Sequence, residues 1–229
     1  TMSREETPAS YLQERKRLVD EALDRLLPGE ENEPPMIFQA VRYSLFAGGK
    51  RIRPILCMAA AEAVGGAAAS VLQVACALEC IHTYSLIHDD LPAMDNDDFR
   101  RGRPTNHKVF GEDVAILAGD ALLTEAFSLL ADAGCAPGAD AAAILQVVRD
   151  MAHAAGIWGM IGGQVMDITS EGKAVGLEVL HGIHARKTGA MIRVSVTSGA
   201  LLAGARSDQM AALADYGNHI GLAFQIADD

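Results

Sequence analysis

Residues 82–104, HTYSLIHDDLPAMDNDDFRRGRP, hold the densest chemistry in this chain. Asp89, Asp90, Asp95, Asp97 and Asp98 gather five carboxylates within ten residues. Pro92 cannot continue a helix without losing a hydrogen bond, so Asp89 and Asp90 are expected at a helix C-terminus. That is the negative end of the helix dipole, and crowded carboxylates there repel both it and one another. A divalent cation relieves the conflict. Oxygen ligands suit Mg²⁺, which keeps waters and binds one or two carboxylates plus substrate phosphates; Mn²⁺ is the alternative ion. Arg100, Arg101 and Arg103 follow directly, and guanidinium groups grip phosphate oxygens in two-pronged fashion. Carboxylates followed by arginines therefore point to a metal-bridged diphosphate. The plainer alternative is a solvated acidic loop balanced by its neighbouring arginines.

A second basic group lies upstream, in Gly48-Gly49-Lys50-Arg51-Ile52-Arg53-Pro54. The glycine pair can bring Lys50 to an anion, and Pro54 suits the first turn of a helix. His82 precedes Asp89 by seven residues and shares nearly the same helix face. Downstream come Gly163-Gln164-(x)2-Asp167, Lys187-Thr188 and Phe224-Gln225-(x)2-Asp228-Asp229. Gln225 stands three and four residues before Asp228 and Asp229, so all three can face one cavity. Structural roles compete with these assignments. Lys50, Arg51 and Arg53 could be surface charges, His82 a hydrogen-bonded core histidine, and Gln164 and Asp167 partners between helices. The remaining histidines are read as structural or surface residues, and no side-chain nucleophile is apparent.

The elements that must position these groups are helical. Half of the residues are hydrophobic but only 5% are aromatic. Ala, Leu and Met, which lose little side-chain freedom in a helix, carry the apolar content. Apolar spacing predicts helices at about 8–27, 36–47, 54–64, 69–91, 111–133, 139–156, 158–170, 175–187, 188–204 and 207–229, with no strand alternation. The expectation is an all-α protein: a large helical bundle over 1–229, forming a single domain, with its site built from facing helices. The apolar pattern stops in mid-helix on Asp228-Asp229, which suggests that the sequence lacks its natural C-terminus. A net charge of −11 argues against nucleic acid, which demands surplus Lys and Arg. The four cysteines lack metal or redox spacing and are expected as buried thiols. No signal peptide or uninterrupted apolar run of roughly 18 residues is evident, so no transmembrane segment and a cytoplasmic location are expected.

Asp89-Asp90-(x)4-Asp95 followed by Arg100-Arg101-Gly102 resembles the first aspartate-rich motif of the trans-prenyl (polyprenyl) diphosphate synthases. The version with two extra residues between the aspartates is that of bacterial farnesyl synthases and plant-type geranylgeranyl synthases. The other motifs quoted above follow in the family's order, from about Met36 onward. The resemblance implies the isoprenoid synthase bundle with a central active-site cavity, a homodimer, and Mg²⁺, three ions per site. It implies that Asp89 and Asp95, with Asp90 close by, bind metal carrying an allylic diphosphate. Asp228 and Asp229 would hold a further ion, and Asp167 is grouped with these metal-binding carboxylates. Lys50, Arg53, His82 and Arg101 would bind isopentenyl diphosphate, while Arg100 and Lys187 would meet the allylic diphosphate. Thr188 and Gln225, with Lys187, would line the reacting end, and Gln164 would contact substrate. The family's second motif continues to a third carboxylate, which would fall beyond Asp229.

The implied reaction is ionisation, condensation and elimination, in which a new allylic diphosphate longer by five carbons is formed. Tyr84 lies about 7.5 Å down the helix axis from Asp89 at the standard rise, and Ser85 lies one turn before Asp89. By resemblance, an aromatic at position 84 accompanies a farnesyl product, whereas a smaller residue accompanies a geranylgeranyl one. A farnesyl diphosphate synthase is thus the expectation, with a geranylgeranyl diphosphate synthase or a non-catalytic synthase subunit as alternatives. Terpene cyclases and squalene-type synthases would not explain GGKRIRP. An HD-type phosphohydrolase would need an upstream histidine on another element, and only His82 precedes His88.

Overall fold

The computed structural model describes residues 7–228, with side chains as far as Phe224, and is helical almost throughout. Eleven α-helices are described: α1 Pro8–Leu26, α2 Pro35–Leu45, α3 Ile52–Ala63, α4 Leu72–Asp89, α5 Asn106–Phe110, α6 Glu112–Cys135, α7 Ala141–Ala155, α8 Met160–Ser170, α9 Leu177–His184, α10 Ala190–Leu202 and α11 Ser207–Asp228. A 3₁₀ turn, Ala68–Val71, leads into α4. The all-helical expectation holds; the short α5 falls in no expected segment, and two further local differences stand out.

The first is a hairpin, β1 Phe99–Arg100 paired antiparallel with β2 Arg103–Pro104. Its two central residues, Arg101 (φ 52°) and Gly102 (φ 76°), are both left-handed, which suits the right-handed twist of a tight hairpin. Strands of two residues are too short to leave a period-two signal in the sequence. The second difference is at Lys187-Thr188, where two separate helices are expected. Instead α9 passes into α10 through a π-helical turn, Ala185–Gly189. Such turns are rare and concentrate at functional sites.

Two compact units divide the chain. The first holds residues 7–55 and 76–129: α1, α2, the hairpin, α5 and most of α4 and α6. Its core is built from Val19, Leu23, Leu45, Leu78, Ile81 and Leu122, each fully buried. Removing each such side chain from water contributes roughly 1.5–3 kcal/mol. α1 starts on a reciprocal cap in which the Ser10 amide donates to Thr7 Oγ1, and the Thr7 amide donates to Ser10 Oγ. The second unit holds residues 56–75 and 130–228, with α10 at its centre, packed on α7 and α11. Ala60, Val196 and Ala200 form part of its core, against Leu56, Met210 and Leu213. Cys57, Cys76 and Cys80 are buried thiols as expected, whereas Cys135 is exposed.

By length and composition alone, Ala68–Asp89 and α6 could each cross a membrane. Polar residues interrupt both stretches. For the first stretch 67% of the most apolar window is buried within the protein, as befits a core helix.

Candidate active site

The basic groups of the first unit converge on the loop between α2 and α3. Gly48 (φ 93°) and Gly49 (φ 126°) turn the chain in a conformation open mainly to glycine. Arg101 Nη1 donates to the Gly48 carbonyl, and its guanidinium lies over Gly49 so closely that a Cβ there would sit 2.6 Å from Nη1. The left-handed hairpin turn thus aims Arg101 at the glycine pair. Lys50 is exposed beside it, and Arg53 sits in the first turn of α3 with Nε buried. Burial holds the Arg53 guanidinium below its usual range, partly offset by Glu79. His82, on α4, is held well below 6.5 by burial and then by the positive charges of Arg53, Arg101, Arg51 and Arg100. It is a neutral imidazole among cations. Three expected residues, Arg53, His82 and Arg101, therefore belong to one basic cluster, and Lys50 stands on the same loop as Arg53.

The carboxylates gather at the end of α4. Pro92 ends the helix, and the loop folds back until the Asp95 amide donates to the Asp89 carbonyl at 2.9 Å. Two residues six apart in sequence become neighbours at the helix terminus. Asp89 is half-buried and Asp95 exposed. Asp90, expected among the metal-binding carboxylates, is held by an arginine. Its side chain is buried and accepts from Arg100 Nε at 2.7 Å and Nη2 at 2.6 Å. Burial pushes the Asp90 carboxyl up against the opposing pull of Arg100, whose own basicity is raised by that bond. A buried carboxylate needs a partner, and Arg100 supplies it through Nε and Nη2. Asp97 lies 3.6 Å from Arg100, and Asp98 pairs with Lys108.

Among the described residues no three carboxylate, histidine or thiol groups converge to cage a metal. Asp89 and Asp95 instead offer two oxygen donors at the negative end of a helix, open on the Asp95 side. That donor set fits Mg²⁺, which prefers few protein ligands and completes its shell with water and phosphate oxygens.

In the second unit Lys187 and Thr188 occupy the π turn. Lys187 Nζ donates to Asp167 Oδ2 at 2.7 Å, so Asp167 is the lysine's partner here. Gly163 makes this approach possible: a Cβ on it would come within 2.4 Å of the Lys187 amide nitrogen. Thr188 is buried and Gln164 half-buried. The side chains of Gln225 and Asp228, and all of Asp229, lie outside the described residues.

Tyr84 is buried on α4, its ring edge-on to His88 at 5.8 Å between centroids. Its hydroxyl has no hydrogen-bond partner, and burial followed by the nearby Asp89 charge pushes its pKa up to about 12. Ser85 Oγ donates back to the His82 carbonyl at 2.9 Å.

Residues 34–229 match the family model described as polyprenyl synthetase. The chain belongs to the polyprenyl synthetase family. A geranylgeranyl diphosphate synthase of Cyanophora paradoxa is 53% identical over 96% of this chain and 72% of its own length. A farnesyl diphosphate synthase of Geobacillus stearothermophilus is 51% identical over 96% of this chain and 73% of its own. Two longer plant relatives are spanned over 60% and 55% of their length. The apo crystal structure of an FPP/GFPP synthase from Zymomonas mobilis superposes with a TM-score of 0.90 at 38% identity, covering 96% of this chain and 80% of that one. This polyprenyl synthetase thus has the all-α isoprenoid synthase fold.

One polar network was not singled out in the sequence. Arg51, 3% exposed and left-handed at φ 54°, is held by three groups. Nη1 donates to Glu79 at 2.7 Å, Nη2 to the Leu45 carbonyl at 2.7 Å, and Nε to Asp20 at 2.8 Å. Burial works against the Arg51 charge, but Glu79 and Asp20 outweigh it. Removing one partner from a buried pair of this kind costs about 3–5 kcal/mol. The signal was available: Glu79 is a lone acid in the apolar run Val74–Ile81, where an unpaired carboxylate is not tolerated.

Proposed function

We propose that the protein condenses isopentenyl diphosphate with dimethylallyl or geranyl diphosphate and that its product is farnesyl diphosphate. The observation that carries this is the pairing, within the first unit, of two oppositely charged clusters. One is the pair of carboxylates, Asp89 and Asp95, that the returning loop brings together; the other is Arg53, His82 and Arg101, with Lys50 on the same loop as Arg53. The family supports prenyl transfer in general, and its named relatives include synthases of both product lengths.

Asp89 and Asp95 would hold Mg²⁺, which when bound neutralises a leaving diphosphate and eases breakage of the allylic C–O bond. Lys50, Arg53 and Arg101 would grip the second diphosphate, with neutral His82 able to donate one hydrogen bond without adding charge. The isopentenyl double bond would attack the allylic carbon, and a proton lost from the adduct, with the released diphosphate as acceptor, would leave a new allylic double bond. In the second unit Lys187, bonded to Asp167, would serve as an allylic-diphosphate contact, with Thr188 next to it in the π turn. The protein contributes orientation and fixed charge. Assembly as a homodimer belongs to the same proposal.

Tyr84 supports the shorter product, because a buried ring beneath the carboxylate end of α4 would stop a growing chain. A geranylgeranyl product is the second reading, favoured by the name of the 53% identical relative. Incubation with dimethylallyl and isopentenyl diphosphates, with and without Mg²⁺, tests both: Mg²⁺-dependent farnesyl diphosphate identified by chromatography is expected. A longer product overturns the farnesyl assignment, and no product overturns prenyl transfer.

A further inference from the structure

Lys50 is offered to solvent, and Arg53 to the basic cluster, by a loop that turns on two glycines. Gly48 and Gly49 add freedom, and Arg51 between Lys50 and Arg53 is bound in a left-handed conformation. What holds this conformation is the inward-turned Arg51 side chain, fastened to Glu79 on α4, to the end of α2 through Leu45, and to Asp20 on α1. Glu79 lies three residues before His82, one turn away on α4. We propose that Arg51 and Glu79 are positioning residues for the isopentenyl diphosphate site, an inference that rests on the prenyl-transfer reading above.

The pair ties the loop that carries Lys50 and Arg53 to the helix that carries His82, so that their donors converge on one anion. Glu79 is 1% exposed, and its second oxygen, Oε2, has no hydrogen-bond partner. A half-satisfied buried carboxylate is a poor device for stability alone, since apolar replacements of such pairs are often neutral or stabilising. It is a good device for fixing one loop conformation, because only Arg51 in its observed pose meets all three partners. Its negative charge also sits among Arg51, Arg53 and Arg101 and limits their mutual repulsion when no diphosphate is bound. Lys at position 51 would keep the charge but could not reach three partners in three directions.

The test is steady-state kinetics of the wild-type protein, Glu79→Gln, Arg51→Lys and Asp20→Asn with Mg²⁺, varying each diphosphate while the other is saturating. Thermal unfolding of each variant is measured alongside. Loss of a charge-assisted contact predicts a KM for isopentenyl diphosphate raised about tenfold or more in Glu79→Gln and Arg51→Lys. Asp20→Asn, which removes only the charge of the partly exposed link, should raise it about threefold, and the KM for dimethylallyl diphosphate should stay within about twofold throughout. If Glu79→Gln fails to fold, the other two variants are judged by the same ratio. A parallel rise in both KM values, or a lowered unfolding midpoint with unchanged KM values, overturns the proposal and makes the pair purely structural. A wild-type protein that converts neither substrate overturns the prenyl-transfer reading first, before any variant is compared, and the positioning role with it.

Discussion

Replacing Gly163 by Ala probes how closely α8 must approach the π turn. The added Cβ would lie 2.4 Å from the Lys187 nitrogen, 2.8 Å from its Cα and 2.9 Å from Arg186 Cβ. Ordinary contact begins near 3.4 Å, so helix and turn must part by about 1 Å (3.4 − 2.4). Two of the obstructing atoms are backbone, which cannot swing aside as a side chain can. Asp167 stands four residues after Gly163 on the same face of α8. The same retreat would stretch its 2.7 Å bond to Lys187 beyond hydrogen-bond range. Overpacking of this kind costs about 1–3 kcal/mol, which lowers the unfolding midpoint by about 2–12 °C for a chain of this size. Displacing a substrate-contacting group by about 1 Å can cost on the order of 10²-fold in rate. Circular dichroism melts and kcat for prenyl transfer measure the two effects. Gly176→Ala serves as the control, since nothing lies within 4 Å of a Cβ there and φ is −73°. A Gly163→Ala protein with wild-type kcat and midpoint, or one no worse than the control, would refute the reasoning.

Three further outcomes follow from the site. Tyr84→Ala should lengthen the product by one or more five-carbon units, whereas Tyr84→Phe should leave both product and stability unchanged, because the buried hydroxyl has no partner to lose; chromatography of the products decides. Asp89→Ala should abolish Mg²⁺-dependent turnover, and retention of more than a few per cent would remove the carboxylate argument. His82 titrates below 6.5 in the folded chain, so the unfolded chain takes up its proton first on acidification. Its stabilising contribution is therefore fully present above 6.5 and is lost as pH falls through 6.5 toward the folded value. Midpoints measured across that range should drop on acidification, and drop less in His82→Gln, which cannot charge.

Much of this protein was legible along the chain. Apolar spacing of 3.6 residues predicts the helices because each must bury one face, and boundaries fell within a few residues wherever Pro, Gly or a cap punctuates them. The order of carboxylates, arginines and the GGKRIRP loop resembles the polyprenyl synthetases, and the family match over residues 34–229 agrees with that resemblance. Pairing was not legible. Asp89, Asp90 and Asp95 are alike as letters, yet the fold buries Asp90 against Arg100 and leaves Asp95 exposed. The sequence could not decide between them because the choice depends on where the hairpin that begins four residues after Asp95 places Arg100. Arg51 and Lys50 are likewise adjacent cations, and only the depth of Glu79 and the reach of Asp20 turn one inward and leave the other outward. Sequence determines which charges are present and which helices carry them; burial, which is a property of three dimensions, decides which of those charges neutralise one another and which remain for a ligand.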